Sequence, residues 1–173
     1  LVGSEMCIRD RRWPDVSAFA PDNRDLAVPV RVECPEAAPR YAGVTVRGCK
    51  IGPSPEWMQN CLRAAGINPK NNLVDITNFV LFELGQPLHA FDLAKIEGRE
   101  VVVRTCAEGT PFVTLDGVER KLTAQDLMIC SVERPMCIAG VFGGLDSGIS
   151  DTTTDVFIES AYFNPVWVRK TAK

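Results

Sequence analysis

The stretch that decides how this chain is read runs from Asn71 to Asp92, NNLVDITNFVLFELGQPLHAFD. Leu73, Ile76, Val80 and Leu84 recur at helical spacing, which predicts a helix with a shared apolar face. Asn71 or Asn72 supplies its N-cap, because a short side-chain oxygen satisfies backbone N–H groups that a helix start leaves free. Gly85 and then Pro87 close it. The composition therefore predicts a buried helix leading into a loop, and that loop carries His89, the only histidine of the chain. Thr77 and Asn78 ride on the helix as a polar pair. Such a pair wants partners, since an unbonded buried polar group costs about 1–3 kcal/mol.

Toward the N-terminus, Ser54-Pro55 predicts a second helix, with serine as N-cap and proline as first helical residue. Trp57, Met58, Cys61, Leu62 and Ala65 make its apolar face, a core stripe, and Gly66 ends it. Before it, Leu26 to Cys34 alternates Val28, Val30 and Val32 with polar residues or proline, a strand pattern that Pro29 restricts to a sheet edge. Tyr41 to Ile51 is a further strand, with Val44 and Val46 alternating. Trp13 to Asp25 has no period and reads as a connecting arm, and Leu1 to Arg12 as foreign or linker sequence.

Toward the C-terminus the character changes to strands. Val101 to Val103 is short and apolar, and Phe112 to Leu122 has Asp116-Gly117 at its middle, a hairpin signal. Leu127 to Val132 and Met136 to Phe142 are apolar runs joined by Glu133-Arg134-Pro135. A polar loop over 143–154 leads to a strand over 156–160, and Asn164-Pro165 opens a last helix. The fold class expected is α+β: antiparallel or mixed β-sheet layers with helices packed on them. A length of 173 residues suits one domain, with residues 1–25 as arm and 26–173 as its body.

A net charge of −3 gives no global basic signature, so any RNA contact must be local or come from other parts of a larger protein. Seven scattered cysteines with no CxxC pair, and a single histidine, cannot complete the usual zinc spacings. They read as buried free thiols in a reducing cytosol, and no metal site is expected. No apolar run reaches the ~18–20 residues of a membrane-spanning helix.

Four groups of residues invite a chemical reading. His89 can hold a water or take its proton near neutral pH; the plainer alternative is a histidine bonded to a backbone carbonyl at a helix end. Glu159 ends the apolar run Val156-Phe157-Ile158, either as a partner for a nearby donor or as a buried acceptor for a substrate hydroxyl. Thr77 and Asn78 most simply bond the helix backbone or a neighbouring strand. Ala139, Gly140, Gly143 and Gly144 either make a tight turn or let backbone N–H groups approach an oxyanion. No Gly-Lys-Ser/Thr follows these glycines and no Gly-x-Ser-x-Gly surrounds Ser160, so neither a Walker loop nor a nucleophile elbow is present.

Asn-Asn-x-Val-Asp-x-Thr-Asn from Asn71, followed by Glu-x-Gly-Gln-Pro-Leu-His-Ala-Phe-Asp to Asp92, closely resembles the β subunit of bacterial phenylalanyl-tRNA synthetases, in the module called B3/B4 or editing domain. The resemblance runs from about Val28 to the end, through Arg40-Tyr41-Ala42-Gly43, Ser54-Pro55-Glu56-Trp57, Gly140-Val141-Phe142-Gly143-Gly144 and Glu159-Ser160-Ala161-Tyr162-Phe163. It implies hydrolysis of tyrosine wrongly attached to phenylalanine tRNA. His89 would then line the editing pocket and Glu159 accept the phenolic hydroxyl of the tyrosine. Thr77 and Asn78 would lie beside that pocket, with Ala139, Gly140 and Gly143 at its amino-acid end.

For the whole enzyme the resemblance implies a cytoplasmic ligase of two α and two β chains that uses ATP and Mg²⁺. This segment would need no cofactor of its own. Two departures stand out: Asn68 precedes Pro69 where relatives often carry a basic residue, and the family continues beyond the position of Lys173 into a His-Thr-Asp-Ala-Ser-like stretch that walls the pocket. The competing reading is a non-catalytic module that braces tRNA or neighbouring domains.

Overall fold

The computed structural model describes residues 13–172. Its strands are β1 Val30–Val32, β2 Arg40–Val46, β3 Leu88–Asp92, β4 Val101–Thr105, β5 Pro111–Val113, β6 Glu119–Lys121, β7 Leu127–Cys130, β8 Pro135–Ile138, β9 Phe142–Gly143 and β10 Val156–Tyr162. Its helices are α1 Glu56–Ala64, α2 Asn72–Leu84 and α3 Pro165–Thr171, with 3₁₀ turns at Leu93–Lys95 and Glu97–Arg99. The fold is α+β. A five-stranded mixed sheet has the order β1-β4-β7-β8-β9, and a three-stranded antiparallel sheet the order β2-β10-β3. β1 takes an edge and runs parallel to β4, where Pro29 removes no ladder bond inside the sheet.

Strand alternation sorts the core into two layers. Val101, Val103 and Ile129 of the five-stranded sheet face Phe91 and Phe157 of the three-stranded sheet. Val102, Met128, Cys130 and Ile138 point the other way and meet Phe112 and Leu122, which the β5–β6 hairpin lays over them. Asp116 and Gly117 (φ 77°) turn that hairpin as the sequence predicts.

The central helix has the expected ends. Asn71 accepts the N–H of Val74 at 3.0 Å, and Gly85 closes the helix in the left-handed conformation at φ 73°. Its burial is not as expected: Asp75 is the only buried residue in it, while Ile76, Phe82 and Leu84 are exposed. The apolar spacing is real, but that face is only partly covered: Leu73 and Val80 are half-buried, while Ile76 and Leu84 stay exposed. Asp75, not singled out by the sequence, ties the two early helices together by accepting from Ser54 Oγ and from the N–H of Lys70 at 2.8 Å. Ser54 is thereby diverted from capping, and α1 starts at Glu56 with Pro55 in the cap position.

Three further expectations change. His89 lies in strand β3 and not in a loop, because Gly85 turns the chain back and residues 88–92 pair with β10. The run Met136 to Phe142 is broken into β8 and β9 by Gly140 at φ 69°. The six described cysteines are free thiols, but only Cys130 and Cys137 are buried; Cys61 is exposed. Cys7 and the stretch Leu1 to Arg12 lie outside the described residues. Residues 13–25 form turns, bends and irregular segments with exposed side chains, with no strand or helix among them.

Candidate active site

The site begins with register. β3 and β10 pair antiparallel so that His89 stands opposite Glu159 and Phe91 opposite Phe157. Paired side chains project from the same face of a sheet, so His89 and Glu159 share the face whose phenylalanines enter the core. Two strands carry 70 residues of sequence separation into one contact pair. Both side chains line a cleft of about 770 Å³, within the size range of small-molecule sites. Gly140, Gly143, Cys137 and Phe163 contribute further wall, and Arg169 of α3 stands at its rim.

Glu159 is 6% exposed, and Tyr41 of β2 donates its phenol to Oε2 at 2.8 Å. Burial pushes the carboxyl up to about 7, against the opposing effect of the Tyr41 hydrogen bond. Burial and the nearby carboxylate together push the Tyr41 phenol far above its ordinary range. The adjacent Cys137 thiol is raised as well, first by burial and then by Glu159. Glu159 thus titrates where a small change in surroundings alters its charge.

His89 is half-buried, and its Nε2 is shielded without a hydrogen-bond partner among the described residues. Its ring meets Phe91 edge to face at 4.4 Å between centroids. Burial lowers its pKa to about 4. The imidazole is therefore neutral at physiological pH, and so weak a base suits holding a water better than stripping its proton. Its position depends on Gly143, where an added Cβ would come within 3.2 Å of His89 Cε1 and 2.8 Å of Leu115. At Gly140 the backbone has φ 69°, and a Cβ would press on Val168 and Phe163.

The structure brings His89, Glu159, Gly140 and Gly143 together on one cleft. It does not bring Ala139 there: that residue is 3% exposed in the core, and its N–H is committed to Leu127 O at 2.9 Å. Gly144 is also unavailable as an oxyanion donor, because its N–H bonds Met136 O at 2.9 Å. Thr77 donates to Val74 O at 2.7 Å, and neither it nor Asn78 lines the cleft. α2 reaches the rim only through its C-terminal Gly85 and the following Gln86, and Thr77 lies about two turns, or ~12 Å, upstream.

Tyr41, the hydrogen-bond partner of Glu159, is the residue that sequence reading leaves out. Alternation puts it on the same strand face as Gly43, but only the register with β10 reveals Glu159 as its partner. Among the described residues no group of three His, Cys, Asp or Glu side chains could hold a metal ion. No helix among them is long and apolar enough to cross a membrane.

Comparison with known proteins agrees with this architecture. The phenylalanine–tRNA ligase β subunit of Bacteroides fragilis (strain ATCC 25285) is 64% identical over 160 residues, covering 92% of this chain and 20% of that protein. The same subunit of Porphyromonas gingivalis is 63% identical over 163 residues, 94% of this chain and 20% of the relative. The chain spans about a fifth of the length of the curated relatives it matches. A crystal structure of an N-terminal fragment of the phenylalanyl-tRNA synthetase β subunit from Pyrococcus horikoshii shares the fold, with a TM-score of 0.56 at 14% identity, over 79% of this chain and 43% of that one. The B3/4 domain family model matches residues 37–173, and the chain belongs to that family, in the form found in phenylalanine–tRNA ligase β subunits.

Proposed function

We propose that this chain is an editing module that hydrolyses tyrosine mischarged onto phenylalanine tRNA. The observation that carries the reading is the opposed pair of Glu159 and His89 on one cleft. Glu159 accepts the phenolic hydroxyl of the bound tyrosine. His89, neutral and lining the same cleft, orients a water toward the ester carbonyl. The water oxygen bonds the carbonyl carbon, the ester C–O bond breaks, and the ribose oxygen leaves with a proton, giving free tyrosine and intact tRNA. An aminoacyl ester is already activated, so positioning supplies much of the acceleration and no protein nucleophile is required.

Selectivity comes from the same carboxylate. Phenylalanine would bury Glu159 against a bare ring edge, and a site built on a substrate hydrogen bond discriminates by roughly 10⁴–10⁵. Charging of the tRNA with ATP and Mg²⁺, and assembly with an α subunit in the cytoplasm, belong to the whole ligase. Among the described residues no side-chain cluster fits a Mg²⁺ site. Purified chain with tRNA, ATP and phenylalanine is expected to form no phenylalanyl-tRNA.

The exposed apolar side chains of Trp57, Ile76, Phe82 and Leu84 on the two early helices favour a second role, bracing neighbouring parts of a larger protein. One assay separates catalysis from bracing alone. Tyrosyl- and phenylalanyl-tRNA, charged in advance, are incubated with the complete ligase in the absence of ATP. Faster release of tyrosine supports editing; equal release of both at the spontaneous rate overturns it.

A further inference from the structure

A carboxylate has two oxygens, and in Glu159 they are not equivalent. Oε2 accepts the phenol of Tyr41 at 2.8 Å, and this is the only hydrogen bond to the side chain among the described residues. The two residues are 118 positions apart. Register explains how they meet. β2 sets Gly43 directly opposite Glu159 and Tyr41 opposite Ala161, so Tyr41 reaches Glu159 diagonally along the shared face. Gly43 leaves that path open, and any Cβ there would collide with the Phe157 ring. Tyr41 is in turn held edge-on by Phe163, at 6.5 Å between ring centroids. Phe163 and Glu159 line the cleft; Tyr41 stands behind them.

We propose that Tyr41 is a positioning and specificity residue: its phenol engages Oε2 so that Glu159 presents the other oxygen, already oriented, to the phenol of the substrate. The inference rests on the editing reading for the identity of that substrate. The side chain of Glu159 is faced by Tyr41 from β2, His89 from β3 and Cys137 from β8, with Arg169 of α3 at the cleft rim. No arginine or lysine forms an ion pair with it among the described residues. A hydrogen bond to the ionised form favours that form, so Tyr41 also keeps the carboxylate charged closer to neutral pH. This is the direction in which the Tyr41 bond acts on Glu159, against the larger effect of burial. A charged acceptor binds a phenol more strongly than a neutral one. Discrimination for tyrosine therefore rises as pH passes upward through about 7, the value Glu159 takes under burial and the opposing Tyr41 bond together.

The test is Tyr41→Phe, which keeps the ring and removes only the donor. In the complete ligase, kcat/KM for tyrosyl-tRNA hydrolysis is expected to fall about tenfold at pH 7, while the low value for phenylalanyl-tRNA stays unchanged. The pH midpoint for tyrosine discrimination should move to about 8 or above. A second readout does not depend on catalysis: the carboxyl-carbon NMR titration of Glu159 in this chain should show the same upward shift in Tyr41→Phe. An equal fall for both esters, or a Glu159 midpoint that does not move, overturns the role of Tyr41 while leaving editing intact. A wild-type ligase that hydrolyses neither ester overturns the editing reading and the specificity role together.

Discussion

Strand β7, Leu127–Cys130, is buried at all four positions. Strand β10, Val156–Tyr162, begins in the same core with Val156 and Phe157 but then buries the carboxyl of Glu159. The two strands belong to different sheets, and the difference lies in what covers each. β7 has apolar neighbours on both faces, the inter-sheet core on one side and the hairpin layer on the other, so it reads as a continuous apolar run. β10 leaves the core midway and its inner face becomes a cleft wall. One sheet holds the fold, while the other gives up part of its apolar face to present His89 and Glu159.

The largest effect should come from the first sheet. Ile129 is 1% exposed between the layers, and Ile129→Ala is expected to destabilise by about 2–5 kcal/mol in denaturant unfolding. Activity measured well below the unfolding midpoint should be nearly unchanged. A cost below about 1 kcal/mol would erase the contrast between the sheets.

The second sheet should reveal itself through pH. Glu159 goes from an ordinary 4.5 to about 7 on folding, so between those values the native state binds more protons and stability falls as pH rises. His89 goes from 6.5 to about 4, so between those values the unfolded chain binds more protons and stability rises with pH. From about pH 4.5 to 6.5 the two slopes oppose each other and nearly cancel in the wild type. Glu159→Gln should leave the rising slope and His89→Gln the falling one, each amounting to at most about 3–4 kcal/mol across its window. Unfolding free energies measured from pH 4 to 8 check this; parallel profiles for all three proteins would contradict the burial of both groups.

A smaller perturbation sharpens the cleft itself. Gly143→Ala presses on His89 and Leu115 and should cost about 1–3 kcal/mol. Hydrolysis of tyrosyl-tRNA should fall more than stability does, because a displaced water-holding group can cost about 10²-fold in rate. The smallest effect is expected on α2. Phe82 is 54% exposed, so Phe82→Ala should change the stability of this chain by no more than about 0.5 kcal/mol. A larger loss would mean that the Phe82 side chain is covered after all.

Local signals in the sequence were legible wherever one residue type carries a backbone requirement. Asn71 as cap, Gly85 as left-handed stop, Asp116-Gly117 as hairpin turn and Asn164-Pro165 as helix start all lie where spacing puts them. What escaped depends on partners distant in sequence. β3 is five residues long and without clear alternation, and only pairing with β10 makes it a strand. The apolar period of α2 predicts a buried face, yet periodicity cannot say whether anything covers it. Ala139 sits one residue from a cleft-lining glycine and faces the core instead. For the site, the sequence pointed to His89 and Glu159 separately; their opposition, and the bond from Tyr41, exist only through register.

Free tyrosine and phenylalanine, titrated calorimetrically into wild-type chain and Glu159→Ala, test most directly whether the buried carboxylate reads the phenol. Hydrogen bonds to charged groups contribute about 1.5–3 kcal/mol, or roughly 10- to 150-fold in affinity. The account predicts that tyrosine binding weakens by about that factor in Glu159→Ala. Phenylalanine binding should stay weak or improve, because the buried carboxylate that opposed it is gone. An equal loss for both amino acids would contradict the account and make Glu159 a support for the cleft wall.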